Sequence, residues 1–356
     1  MRAIVCSEWG KPDSLRLSYI AEPLPNEGEV LIDVSACTAN FADVLMVAGT
    51  YQTRPALPFT PGLEAAGRIA YAPPESGFRK GDRVVAFLWH GGYADQASAA
   101  ASETFSIPLA MSFETAAALT SAYASAALAV IHVGRLAPSA TLLVLGAGGG
   151  VGSATIEIGK AVGARVIAVA STPEKLAHAR DCGADLAVSY RDSDWKDQVI
   201  ACTGKRGVDV CLDPVGGKLF DPALSTLGWG GRYILFGFAS GEIPKIRANR
   251  LLVKHRAALG SSLRYFRLYE PERLRDTMGQ LFSWWERGQV RPRITQRLPL
   301  DRTIDGLLSI AEGRSIGKIA VCPDQPALTP ELPSLKPSGS ACTRPRDYSG
   351  GSAPSE

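Results

Sequence analysis

The apolar positions of this chain follow two rhythms. Between residues 121 and 260, short uninterrupted apolar runs recur at 142–146, 166–170, 186–190, 208–213, 231–237 and 257–260, with stretches of helical spacing between them. Runs of that length suit strands buried on both faces, and their alternation with helices predicts an α/β unit, a doubly wound six-stranded parallel sheet. In residues 1–120 the strand-like segments are RAIVCS, EVLIDVSACT, AAGRIAYA and DRVVAFL, separated by Pro, Gly and Asn. They predict an irregular β-barrel-like domain. Residues 261–322 mix both patterns, with a helix expected over 271–287 and a last strand at KIAVC. From 323 to 356 Pro, Ser and Gly dominate without aliphatic periodicity, so a disordered tail is expected.

One stretch, Thr141–Lys175, reads as strand, glycine turn, helix and strand: TLLVLGAGGGVGSATIEIGKAVGARVIAVASTPEK. Gly146, Gly149 and Gly152 let the chain reverse tightly, bring bare amides up to a pyrophosphate and start a helix close against the strand. The backbone of Gly149, Gly150, Val151 and Gly152 is expected to offer the phosphates free N–H groups and the partial positive charge of a helix N-terminus. The spacing is G-x-x-G-x-x-G rather than G-x-G-x-x-G. The strand before it and the helix after it make it a dinucleotide site, where glycines alone could merely turn the chain.

The next strand ends at Ala170-Ser171, about twenty residues past the glycines, where an NAD site usually carries Asp or Glu for the ribose 2′-hydroxyl. Here the turn reads Ser171-Thr172-Pro173-Glu174-Lys175. Ser171 can hydrogen-bond a 2′-phosphate, Lys175 can neutralise it, and Tyr190 at the end of the following strand points the same way. The expected cofactor is therefore NADPH. Ser171 or Thr172 also suits capping the helix that begins at Pro173, with Lys175 a solvated charge, and the two readings are compatible.

Composition narrows the class without changing it. The 356 residues are enough for two domains, and 46% hydrophobic with 21% charged residues is ordinary for a globular enzyme. A net charge of +3, with basic residues scattered, argues against nucleic-acid or membrane partners. No apolar run is expected to reach the roughly 20 residues of a membrane span. The start, MRAIVCSEWG, enters a strand pattern at once, so no secretory signal is expected. Cysteines at 6, 37, 182, 202, 211, 322 and 342, with no C-x-x-C pair, fit free thiols in the cytoplasm.

Several short motifs carry a resemblance. They are Asn40-Phe41-Ala42-Asp43, Gly49-Thr50-Tyr51, Pro61-Gly62-Leu63-Glu64, Gly81-Asp82-Arg83-Val84 and Gly91-Gly92-Tyr93-Ala94. In the nucleotide half they are Asp213-Pro214-Val215-Gly216, Gly231-Arg232, Phe236-Gly237 and, later, Gly317-Lys318. With these the chain, from Met1 to about Cys322, resembles the medium-chain dehydrogenase/reductase superfamily, and within it the zinc-free NADPH:quinone oxidoreductases of the zeta-crystallin type. The resemblance implies a GroES-like catalytic domain at 1–120 and 261–322, with a Rossmann NADPH-binding domain at 121–260 inserted, the substrate meeting the nicotinamide between them. It also implies a homodimer. Matching the zinc-dependent branch puts Asn40, Leu63 and Ala117 where that branch has Cys, His and Cys. Leucine and alanine cannot ligate zinc, and no metal is expected.

Without zinc to stabilise an alkoxide, acceptors that take a hydride readily are favoured: quinones, or alkenes conjugated to a carbonyl. Protein groups then chiefly bind, orient and exclude water. The resemblance places Asn40, Tyr51 and Ser121 near the nicotinamide, Asn40 with an amide able to donate to a quinone oxygen. Asp43 is expected to orient its neighbours, Phe236-Gly237 to approach the cofactor, and Lys318 to touch a phosphate or stand solvated. Tyr51 leaves two readings open, because the enoyl-thioester reductases of the same superfamily use a tyrosine there as proton donor. Reduction of enones, 2-alkenals or enoyl thioesters is thus the alternative to quinone reduction. A third reading is an NADPH-binding protein without turnover.

Overall fold

In the computed structural model, which describes residues 1–323, two sheets share one apolar helix. The expected tail lies, beyond Pro323, outside the described residues. The N-terminal strands are β1 (Arg2–Val5), β2 (Arg16–Tyr19), β3 (Glu29–Ala39), β4 (Glu64–Tyr71), β5 (Arg83–Phe87), β6 (Gln96–Ala100) and β7 (Thr104–Ser106). There follow β8 (Thr141–Leu145), β9 (Arg165–Ala170), β10 (Leu186–Ser189), β11 (Val208–Asp213), β12 (Leu227–Leu235) and β13 (Ala257–Gly260). The chain returns with β14 (Ile294–Leu298) and β15 (Lys318–Val321).

Strands β8 to β13 are the six apolar runs read from the sequence. All pair in parallel, in the order β10-β9-β8-β11-β12-β13. Leu142–Leu145 and Val166–Val169 are wholly buried, as uninterrupted apolar runs under two helix layers should be. Strand order reverses between β8 and β11, which opens a crevice at their carboxyl ends, the place where such sheets bind ligands.

The second sheet runs β14-β15-β3-β4-β5-β7, with β6 also pairing β3. It forms the GroES-like domain. Its longest strand, β3, meets β6 through Glu29–Asp33 and, at its far end, meets β15 through Val321↔Cys37 and Ile319↔Ala39. A sheet begun in the first forty residues is therefore closed by the end of the described chain.

Helix Phe113–Val133 corrects the expectation about apolar length. Its 21 residues are long and apolar enough to cross a membrane, but 83% of its most apolar window is buried inside the fold. It is a core helix. Its alanines allow close packing, and Leu119, Leu128 and Val130, each worth about 1.5–3 kcal/mol when buried, join Ala66 and Phe87 of one sheet to Leu142 and Ala168 of the other. Helix Pro271–Glu286 packs beside it through Leu274, Met278 and Leu281, spaced along one helical stripe. The domain boundary expected at 120/121 lies inside helix Phe113–Val133, which winds as a wider π turn at Leu119–Tyr123.

Candidate active site

After β8 the chain turns through Gly146 at φ +59°, a left-handed conformation that glycine adopts without strain. Helix Gly150–Val162 then begins against the strand it has just left. A Cβ on Gly152 would lie 2.3 Å from the Gly146 carbonyl oxygen, so only glycine permits this approach. The first turn of the helix directs its unsatisfied N–H groups into the crevice. Val215, from the loop after β11, closes the far side, within 3.0 Å of a Cβ placed on Gly146. Asp213 holds that loop: Oδ1 accepts the N–H of Val215 and of Gly216, each at 2.8 Å, and Oδ2 accepts the Tyr233 hydroxyl at 2.7 Å.

At the end of β9, Ser171 is half-buried and Thr172 caps helix Pro173–Asp181 by accepting the Lys175 N–H. The capping task thus falls to Thr172, leaving the Ser171 hydroxyl for other use. Lys175 packs its stem so tightly under Gly148 that a Cβ there would meet it at 2.6 Å, and its ammonium donates to the Gly313 carbonyl. Burial, and secondarily the nearby Arg191 guanidinium, lower the Lys175 pKa. Arg191, in the turn after β10, is a second cation near Lys175 that sequence reasoning missed, although it directly follows Tyr190, which is 36% exposed.

On the GroES-like side, Asn40 follows β3 and stands at the N-cap of helix Phe41–Val47. Its amide is fully engaged. Nδ2 donates to the Thr38 carbonyl at 3.1 Å and to Glu64 Oε1 at 2.9 Å, while Oδ1 accepts from Lys318 Nζ at 2.7 Å. Only this orientation lets a carbonyl oxygen meet the cation and an N–H₂ meet two acceptors. The expected donation from Asn40 to a quinone oxygen is thereby corrected, since both its amide hydrogens are committed. Of the two readings of Lys318, the solvated one is corrected: the residue is 3% exposed, and its ammonium is turned to Asn40.

Beneath Asn40 lies a buried acid pair. Asp43 accepts from the Asn40 backbone N–H at 3.0 Å, the Gly62 N–H at 3.1 Å and the Tyr93 hydroxyl at 2.6 Å. Burial, and next the neighbouring Glu64 carboxylate, push its pKa up to about 7. Glu64 Oε1 also accepts from the Thr38 hydroxyl, whereas its buried Oε2 has no partner among the described residues. Thr38 was not singled out from sequence, and Glu64 and Tyr93 stood there only as members of motifs, with no site role given to them. The available signal was an acid opening the apolar strand EAAGRIAY.

Tyr51 is half-buried beside the core that holds Asp43's helix, and burial, then the Asp43 charge, raise its hydroxyl pKa. Ser121, on the π turn, is 8% exposed, and its Oγ has no partner among the described residues. Phe236 and Gly237 follow β12, their N–H groups bonded to the Asp213 carbonyl. Phe236 lines a cavity of about 540 Å³ with Phe238, Tyr265, Phe266 and Tyr269, and with Gln52 next to Tyr51. Leu63 and Ala117 sit in core packing and offer no donor atoms. Among the described residues no group of three or more His, Cys, Asp and Glu is placed to hold a metal ion.

Residues 26–127 match the family profile "Alcohol dehydrogenase GroES-like domain" and residues 150–283 the profile "Zinc-binding dehydrogenase". The chain is 35% identical to a "Quinone oxidoreductase-like protein 2 homolog" of Nematostella vectensis, over 90% of this chain and 88% of that protein. It is also 35% identical to a "Quinone oxidoreductase" of Rattus norvegicus, over 85% of this chain and 91% of its relative. The structure of an Escherichia coli quinone oxidoreductase complexed with NADPH superposes with a TM-score of 0.85 at 26% identity, over 91% of this chain and 100% of that one.

Proposed function

The chain belongs to the medium-chain dehydrogenase/reductase superfamily, as an oxidoreductase that uses a nicotinamide dinucleotide, and from that premise we propose that it reduces a quinone with NADPH and without a metal. The observation that carries the acceptor class is the aromatic-walled cavity beside Phe236, whose faces suit a flat conjugated ring. The names of the relatives agree with it. For NADPH, the support is that β9 is followed by Ser171 rather than an acid, with two cations close by, Lys175 in the same turn and Arg191 in the turn after β10.

The residues present fit the cofactor. The Gly146–Gly152 turn leaves room for phosphates where a side chain could not stand, and the buried Ser121 hydroxyl offers a hydrogen bond not taken up by the described residues. When bound, NADPH supplies the hydride. The protein supplies the rest: the helix N-terminus at Gly150 binds negative charge, the Asp213-anchored loop fixes the crevice wall, and the aromatic cavity orients the acceptor. Tyr51 favours a second reading, enone reduction, because it adjoins Gln52 of the cavity wall, where a phenol hydroxyl could donate a proton.

NADPH oxidation with para-benzoquinone, phenanthrenequinone, a 2-alkenal and crotonyl-CoA separates these readings. Quinone turnover that survives Tyr51→Phe, without enone activity, is the expected result. Activity confined to the alkenal or thioester and abolished by Tyr51→Phe would replace the first reading by the second. Tight NADPH binding with no oxidation by any acceptor would refute both.

A further inference from the structure

The cavity beside Phe236 takes its walls from two parts of the chain. Its aromatic side is built after β12 and on helix Leu263–Tyr269, while Gln52 comes from the GroES-like domain. Gln52 opens an irregular segment, residues 52–58, that runs between two fixed points. Before it, the Tyr51 N–H donates to the Leu45 carbonyl at 3.1 Å. After it, Phe59 and Cys6 exchange backbone hydrogen bonds at 2.8 and 3.0 Å. Within the segment no residue makes a backbone–backbone hydrogen bond to the described residues, and Gln52, Arg54, Ala56, Leu57 and Pro58 are exposed. A stretch bonded so sparsely opens at little cost, whereas its two ends do not.

Two side chains tie this segment to the helix that carries the aromatic wall. The Ser262 hydroxyl donates to Gln52 Oε1 at 3.5 Å, a long bond, and Arg264 Nη1 donates to Thr53 Oγ1. The Arg264 guanidinium lies 5.4 Å from the centroid of the Trp89 ring, and among the described residues it forms no ion pair. Arg267, further along the helix, is held differently. Its Nε and Nη2 each meet the Glu103 carboxylate at 2.6 Å, and its Nη1 donates to the Leu88 carbonyl at 2.8 Å. That bidentate, almost wholly buried pair fixes the helix to the GroES-like domain, whereas Arg264 makes one releasable bond to a neutral hydroxyl.

We propose that segment 52–58 is a flap over the acceptor and that Arg264, by latching Thr53, is a specificity-determining residue for acceptors large enough to reach the flap. This rests on reading the cavity as the acceptor's site. At about 540 Å³ the cavity is of the size that encloses a ligand of several rings, and a single ring fills only part of it. A small acceptor is held by the aromatic wall alone. A larger one spans from that wall to Gln52, and the latch presents Gln52 to it already in place. Without the latch such an acceptor must order the flap itself, so the loss falls on its binding and not on the bound reaction. Arg264 is thus a positioning residue whose effect passes through Thr53 to Gln52.

The test uses Thr53→Val and Arg264→Met, singly and together. Thr53→Val leaves Arg264 on Trp89, which guards against a defect in the helix itself. Three quantities are read: KM and kcat with phenanthrenequinone, the same pair with para-benzoquinone, and the NADPH Kd by fluorescence. Each single variant should raise the phenanthrenequinone KM by roughly 10-fold, the worth of one hydrogen bond to a charged group. Both kcat values, the benzoquinone KM and the NADPH Kd should change by less than about threefold. Because the two substitutions remove the same bond, the double variant should lose no more than the worse single one. An unchanged phenanthrenequinone KM, an equal rise for both quinones, a loss in kcat or NADPH binding instead, or additive losses would each overturn the inference. If the wild type reduces no quinone, the functional reading fails. The Kd of phenanthrenequinone, read by quenching of protein fluorescence, then decides the latch by itself: a tenfold rise in the variants supports it, and an unchanged Kd overturns it.

Discussion

If Lys175 holds a 2′-phosphate, replacing it with alanine should change which dinucleotide is used more than how fast the enzyme works. A hydrogen bond to a charged group contributes about 1.5–3 kcal/mol, which corresponds to roughly 10- to 100-fold in relative affinity. The structure supplies the control. The Lys175 ammonium also ties helix Pro173–Asp181 to Gly313, and loss of that tie affects NADPH and NADH alike. The ratio of kcat/KM for NADPH over NADH therefore isolates the phosphate. Arg191 is exposed, and an exposed ion pair is worth about 0–1 kcal/mol, so Arg191→Ala should lower the ratio by no more than about fivefold. Its effect should shrink as ionic strength rises, while that of the half-buried Lys175 should largely persist. Steady-state kinetics with both cofactors at low and high salt reads all three quantities. An unchanged ratio in Lys175→Ala would refute the reasoning, and equal losses for the two cofactors would mean that Lys175 acts only through Gly313.

Gly152→Ala would drive a Cβ within 2.7 Å of Ala147 Cα as well as into the Gly146 carbonyl, and backbone on both sides cannot swing away as a side chain would. It should cost about 1–3 kcal/mol of stability and weaken dinucleotide binding, measured by thermal melting with and without NADPH; wild-type values for both would sink the close-approach argument. Glu157 gives a pH prediction. Burial pushes it up to about 7 from 4.5, against hydrogen bonds from the Tyr123 hydroxyl and the Arg291 N–H. Between pH 4.5 and 7 the native state keeps a proton that the unfolded chain gives up, so stability falls as pH rises through that window and levels off above it. Glu157→Gln should remove a decline on the order of 3 kcal/mol, leaving that from Asp43, which has the same sign. Identical slopes of stability against pH in wild type and variant would show that Glu157 does not hold the proton.

The six parallel strands were legible because burial on both faces demands uninterrupted apolar runs, and the glycine turn because its geometry admits no side chain. Strands β6 and β7, QASAA and TFS, were not legible: they are short and rich in small residues, and only β3 and β5 make strands of them. The length of helix Phe113–Val133 was missed because its serines, threonines and single glutamate interrupt the apolar count. In the site, residue types were readable but their commitments were not. Asn40 looked like a free donor, and only the fold shows Thr38, Glu64 and Lys318 converging on its amide from 2, 24 and 278 positions away in the chain.

The closure of the GroES-like sheet by β15 also bears on how the molecule is made. The Rossmann sheet needs only residues 141–260, so it can form while the rest of the chain is still being synthesised. The first sheet cannot be completed until Lys318–Val321 has emerged and found Cys37–Ala39 across an already folded domain. Until then β3 shows an unpaired edge beside Cys37, the kind of edge that recruits other chains. The nucleotide-binding half thus acts as a folded spacer that brings the two ends together, shortening the entropic loop that β15 must close.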